Sequence, residues 1–300
     1  MIKKLIVVFV VLCIGSLMLA ESLDQKLASL DERNALLFLQ PLANSMGAGM
    51  NSGLFNTAKV LKPFLPNIKV GSTFVIVPSS DKTFIYQSPL GHYFDDFEVK
   101  TATIFGKAGA LTEIENFILP RGADLSIVPV PQASLSIGLP LGNEFMVRGM
   151  PNMKINDGVG DIAFWGVGLK HSIDQYLPEV FPIDIAIQGV YHQMEVADII
   201  KFNAWAVNLA ASKSFFIFTL YGGVGYEAAD LEVKYVFDAP FLEKPIETKL
   251  NFEAQNEFRA TLGGKFTVLP FLSVYADYSI ASTKAKTHSN TINFGVGIGF

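Results

Sequence analysis

The chain has 300 residues, half of them hydrophobic, a mean hydropathy of +0.35 and a formal charge of −5. It carries no basic cluster, so composition gives nucleic-acid binding no support. Its one cysteine, Cys13, lies in the N-terminal apolar run, so loss of that run leaves no disulfide or thiol chemistry.

Lys3 and Lys4 precede an apolar run, Leu5 to Leu19, and Ala20 is a small residue before polar Glu21 and Ser22. This is the plan of a secretory signal peptide, here residues 1–20. The alternative is a membrane anchor, but the run falls short of the ~20 residues a spanning helix needs. Cleavage leaves 280 residues and moves the formal charge from −5 to −7, because Lys3 and Lys4 are lost. The remainder has no apolar run long enough for a membrane helix, although it is rich in hydrophobic residues. Apolar residues interleaved with polar ones are what a membrane barrel requires, with one face toward lipid and one toward the lumen.

Residues 21–52 read as an N-terminal helix and plug segment. Leu23, Leu27, Leu30 and Leu37 recur near helical spacing, and Pro41 is expected to end the pattern. The small residues Ala43 to Gly49 then suggest a compact segment folded into the lumen, or else a helix outside it. Residues 53–300 read as the barrel. Its first strands are expected at 53–60 and 67–77, with something in 83–105. The stretch 87–122 reads as a long outer loop, with room for a strand pair.

Further strands are expected at 123–139, 143–149, 159–172, 182–195 and 201–211. Pro129 and Pro131 suggest a bend or bulge in the first of these. Residues 215–237 read as one long strand with a fault. Phe216, Phe218, Leu220, Val224 and Tyr226 occupy even positions, whereas Leu231, Val233, Tyr235 and Phe237 occupy odd ones. A β-bulge near Ala228-Ala229 would produce that switch. Its partner is 249–268, followed by the short link Leu269-Pro270 and a strand at 271–280. The polar stretch Ala281–Asn290 reads as an outer loop. In Thr291–Phe300 the even positions are Ile292, Phe294, Val296, Ile298 and Phe300, an unbroken period of two. The expected fold is an all-β transmembrane antiparallel β-barrel of about twelve strands, within a range of ten to fourteen.

Several segments together resemble a known family: Met50-Asn51-Ser52-Gly53, Thr103-Ile104-Phe105-Gly106, Gly158-Val159-Gly160-Asp161, Ala211-Ser212-Lys213-Ser214-Phe215 and Tyr221-Gly222-Gly223-Val224-Gly225-Tyr226-Glu227. They look like an uncharacterised bacterial outer-membrane β-barrel family, itself similar to the long-chain fatty acid transporter barrels of the FadL type. The resemblance implies a monomeric barrel of up to fourteen strands with an N-terminal hatch and uptake of hydrophobic molecules. The transporters' Asn-Pro-Ala hatch signature is absent here, the nearest string being Pro41-Leu42-Ala43-Asn44. The terminal Phe300 resembles the signal by which the barrel assembly machinery recognises its substrates.

Strand parity assigns a charged cluster to the lumen: Glu227, Glu232, Lys234, Glu253, Glu257, Arg259, Lys265 and Asp277. A charge on the lipid face near the midplane would cost up to ~2–4 kcal/mol. Such a cluster is either a salt-bridge network or the lining of a substrate path. Of the histidines, His192 takes the inward parity with Asp184 and Gln188. His171 and Ser172 are adjacent on a strand, point to opposite faces and make no nucleophile–base pair. No HExxH, GxSxG or metal-ligand motif is present, so the sequence suggests neither an enzyme nor a bound cofactor or metal. The expected function is a channel or transporter of the cell outer membrane for small molecules, with hydrophobic ones as one option. Its partners would be outer-membrane lipid, the assembly machinery and that ligand. The alternatives are a structural or surface-binding barrel with a closed lumen and, at lowest weight, a lipid-modifying enzyme.

Overall fold

The computed structural model describes residues 23–28, 30–87, 98–109, 119–156, 160–178, 182–196, 199–237, 246–284 and 288–299. The signal-peptide reading of residues 1–20 and the assembly signal Phe300 lie outside them. So do His92 and the Gly158-Val159 pair.

The helices are α1 (Leu23–Ala28) and α2 (Glu32–Met50). The strands are β1 (Pro66–Ile76), β2 (Thr83–Gln87), β3 (Glu98–Ala102), β4 (Ile127–Leu139), β5 (Asn143–Asn156), β6 (Gly160–Ser172) and β7 (Asp184–Val196). They continue with β8 (Ile200–Phe215), β9 (Phe218–Phe237), β10 (Ile246–Glu253), β11 (Asn256–Leu269), β12 (Leu272–Thr283) and β13 (His288–Gly299). Ten strands close an antiparallel barrel in the order β9-β11-β12-β13-β1-β4-β5-β6-β7-β8, with β8 returning to β9. β10 lies outside that ring, paired to the upper part of β9, while β2 and β3 form a separate hairpin. The long strand expected at 249–268 is thus two strands, parted at Ala254-Gln255.

The period of two decides which face meets lipid. On β13, Ile292, Phe294, Val296 and Ile298 are 43–48% exposed, whereas Thr291 and Asn293 are fully buried in the interior. Exposed apolar side chains on the same parity continue round the ring. Above them a run of aromatic rings girdles the outside: Trp165 against Tyr191 (5.9 Å), Trp205 against Tyr226 (5.6 Å) and Tyr226 against Phe258 (5.3 Å). Tyr and Trp favour a membrane–water boundary. At the opposite end lie the short turns at Phe216-Ile217 and Pro270-Phe271, with Phe216 wholly exposed. From Trp205 to Phe215 the tilted strand rises by roughly 25 Å, the height of a barrel's apolar band.

The bulge expected in β9 is absent. β8 and β9 pair without a register shift from Ile200↔Val233 to Phe215↔Phe218. Odd residues of β9 therefore face inward throughout, and Leu231 and Val233 are buried. The apolar set changes sides because the environment does. Below the girdle the outside is lipid, while above it the outside is water and the inside holds α2.

α2 begins at Asp31, whose side chain accepts from Asn34 N at 3.0 Å. Asn34 in turn brackets Gln87 of β2, donating Nδ2 to its carbonyl at 2.8 Å and accepting its N–H at 3.0 Å. The helix does not end at Pro41 as expected but continues to Met50. One lost helical hydrogen bond is outweighed because Phe38, Leu39, Leu42 and Ala43 are all buried in the barrel. The small residues belong to the helix itself and permit close approach: a Cβ on Gly47 would lie 3.0 Å from that of Ala229. No helix among the described residues is long and apolar enough to cross a membrane.

Candidate functional site

Beyond α2 the chain does not form the expected strand at 53–60. It runs down the lumen to the turn end, held by side chains of the wall. Arg148 of β5 donates to the carbonyls of Met50 (3.2 Å) and Ser52 (2.6 Å). Lys69 and Gln188 both reach the Leu54 carbonyl, at 3.2 and 3.4 Å. Lower down, Lys170 donates to the Lys59 carbonyl (3.3 Å) and pairs with Glu144 (2.7 Å), which accepts the Leu61 N–H. The wall groups thus answer the backbone of an irregular segment, which a buried chain requires.

Of the eight expected lumen charges, the structure gathers three in the interior: Glu227, Arg259 and Asp277. Arg259 meets Glu227 with two bonds, at 2.7 and 3.1 Å, and both side chains are almost wholly buried. It also donates to Ser52 Oγ (2.7 Å) and to the Ala48 carbonyl (2.9 Å). α2 has no basic residue in its own last turn, so Arg259 and Arg148 supply the cations that its C-terminal carbonyls favour. Asp277 accepts from Tyr221 (2.9 Å) and Asn293 (2.8 Å).

Lys265 and Glu257 are half-buried. Glu232, Lys234 and Glu253 are corrections to the lumen assignment. The continuous register of β9 puts Glu232 and Lys234 on its outer face, where Glu232 pairs with Lys249 at 2.9 Å. Glu253 lies exposed on β10 and pairs with Lys284 at 3.1 Å. His171 meets Asn143 and Tyr176 rather than Ser172.

Gly53 turns the chain into the lumen with φ +64°, and a Cβ there would lie 2.6 Å from Gln132 Nε2 and 2.7 Å from Asn293 Oδ1. Gly53→Ala is expected to destabilise the barrel by about 1–3 kcal/mol through left-handed strain and the clash. The urea midpoint of the heat-modifiable band on gels checks this, and an unchanged midpoint would contradict it.

Two features were missed in the sequence. The first is an apolar cavity of about 910 Å³, open mouth included, between the helices and the wall above the girdle. Leu42 and Met46 of α2, Val130 of β4, Phe164 of β6, Met194 of β7 and Phe202 of β8 line it. The second is a seam in the wall beside it. β1 and β4 pair along the whole of Ile127–Ile137. β4 and β5 pair only from Leu139↔Asn143 to Ala133↔Gly149. Above that point, no pair among the described residues joins Ile127–Gln132 to β5, although β5 continues on β6.

Backbone parity explains the seam. Gly138 directs its N–H and its carbonyl toward the β1 side, bonding Leu65 and Phe64. Even residues of β4 therefore bond toward β1, and odd residues, Pro129 and Pro131 among them, point toward β5. Proline has no N–H, so the two donors that would zip β4 to β5 are missing. Pro129 and Pro131 also line the cavity, so the seam borders it. Gly149, at the last closed pair, pairs on its other side with Trp165 of the girdle. The unpaired stretch of β4 thus starts at the level of the girdle.

An antiparallel ten-strand barrel with an outer apolar belt, a girdle of aromatic rings and an occupied lumen defines a protein of the outer-membrane β-barrel class. The chain belongs to the family of unknown function DUF6588, which matches residues 1–300. No curated protein matches it in sequence. Among solved structures it is similar to the translocator domain of the autotransporter NalP from Neisseria meningitidis, with 10% identity over 91% of this chain and 99% of that one and a TM-score of 0.31. It is also similar to the attachment invasion locus protein Ail of Yersinia pestis in complex with sucrose octasulfate (10% identity, 80% and 100% covered, TM-score 0.30). A loop-deletion form of the Vibrio cholerae outer-membrane protein OmpT is a third (10% identity, 73% and 62% covered, TM-score 0.28). At these scores the likenesses add no argument to the architecture described above.

Proposed function

We propose that this barrel sits in a bacterial outer membrane and takes up small hydrophobic molecules, which reach the upper cavity through the seam between β4 and β5. The observation that carries the reading is the cavity, an apolar chamber bordered by a stretch of β4 that pairs with β1 but not with β5 among the described residues. Its concave shape and apolar walls fit a small-molecule site. The resemblance to fatty acid transporter barrels supports the same class of cargo.

Filling the chamber tests it. Ile162→Phe with Ile200→Phe adds bulk at two lining positions. The pair is expected to weaken binding of the fluorescent hydrophobe 1-N-phenylnaphthylamine by about tenfold or more, with the heat-modifiable band shift retained. Equal binding by the filled and native barrels would remove the proposal. The second reading, a barrel with a permanently closed lumen, draws on the wall's grip on residues 50–61. It is distinguished by planar-bilayer conductance, which stays absent when residues 21–49 are deleted if closure is the barrel's role.

A further inference from the structure

The residues around the cavity also point to the kind of molecule it takes. This step rests on the uptake reading above and narrows it. Two cations lie near the chamber, Lys26 in its lining and Arg148 beneath its floor. Neither is free: Lys26 has a partner of its own, and Arg148 is committed to the Met50 and Ser52 carbonyls. Among the described residues, a carboxylate entering the chamber would find no uncommitted cation.

One polar side chain there is uncommitted. His192 is fully buried, and neither Nδ1 nor Nε2 has a hydrogen-bond partner among the described residues. It shares the inward face of β7 with Met194, one step nearer the turn end. Its ring stands 5.7 Å from that of Phe164. Met194 and Phe164 both line the cavity, so the imidazole lies directly behind the floor.

The wall is shaped for this ring. Gly166, paired with His192 across β6 and β7, leaves the space it fills, since a Cβ there would come within 2.1 Å of His192 Cδ2. An imidazolium without an acidic partner would be far costlier here than the neutral ring. The neutral ring offers one donor and one acceptor. Met46, Met150 and Met194 line the chamber, and unbranched thioethers adapt readily to a guest. Reaching His192 requires a guest to displace the side chains of the floor, Met194 and Phe164.

We infer that His192 is the polar recognition point of the cavity, and that the ligand is an uncharged hydrophobic molecule carrying one hydrogen-bonding group, such as an alcohol or a ketone. Native mass spectrometry of the purified full-length barrel with 1-hexadecanol, palmitate and hexadecane tests this. Hexadecanol is expected to outbind hexadecane and palmitate about tenfold, the size of one buried hydrogen bond. His192→Phe should bring hexadecanol to within about twofold of hexadecane, while His192→Gln, which keeps a donor and an acceptor, should retain most of the preference. Palmitate binding best, or a hexadecanol preference unchanged in His192→Phe, overturns the assignment and leaves the uptake reading standing. Failure of all three probes to bind overturns both.

Discussion

Arg259→Met is expected to cost the folded barrel about 3–5 kcal/mol, because it leaves the buried Glu227 carboxylate without a partner. Arg259 joins three parts of the molecule: Glu227 on β9, Ser52 in the lumen segment and the Ala48 carbonyl at the end of α2. Its loss therefore removes an ion pair and a cation that the helix end favours. The reverse change, Glu227→Gln, should cost less, since Arg259 keeps its bonds to Ser52 and Ala48. The double variant Glu227→Leu with Arg259→Met should recover most of the loss, because replacing both partners by apolar groups removes the stranded charge. Urea unfolding followed by the fluorescence of Trp165 and Trp205, the chain's two tryptophans, measures all four proteins. If Arg259→Met alone unfolds like the native barrel, the clamp has no energetic weight.

The wall was largely legible in the sequence, the interior much less so. Strands β1, β4, β6, β7, β8, β12 and β13 fall within a few residues of the stretches that alternation picks out, because lipid imposes a strict apolar parity below the girdle. In β9 that parity misled. The change from even to odd apolar positions looks the same whether the backbone gains a residue or the surroundings exchange sides. The second is what happens, since Leu231 and Val233 turn inward against an interior that holds the helix. Glu232 and Lys234 were misplaced for that reason. Residues 53–60 misled in another way. Leu54, Phe55 and Ala58 are buried like strand residues, yet their backbone is answered by Lys69, Gln188 and Ser212 rather than by a neighbouring strand. These partners lie 15, 134 and 154 residues along the chain, on different strands of the wall, and local spacing carries no trace of them. Pro129 and Pro131 did stand out. Their effect on the wall depends on which neighbour each faces, and only the closed ladder supplies that.

The seam gives the uptake reading its sharpest kinetic consequence. Pro129→Val with Pro131→Val restores two N–H donors on the side of β4 that faces β5, at positions where a β-branched residue suits a strand. Each ladder hydrogen bond contributes about 0.5–1.5 kcal/mol net. Two of them add roughly 1–3 kcal/mol to the cost of parting the strands, which corresponds to a slowing of about five- to 150-fold. Both prolines line the chamber, but valine is apolar and of similar size, so affinity should stay within about twofold, well under the 1.4 kcal/mol that a tenfold change requires. Stopped-flow binding of 1-N-phenylnaphthylamine separates the two quantities: association and dissociation rates should fall together while their ratio holds. Loss of affinity at an unchanged association rate would mean that the prolines shape the chamber and not its mouth. Native rates and native affinity together would show that the hydrophobe reaches the cavity by another way, between α1 and the rim.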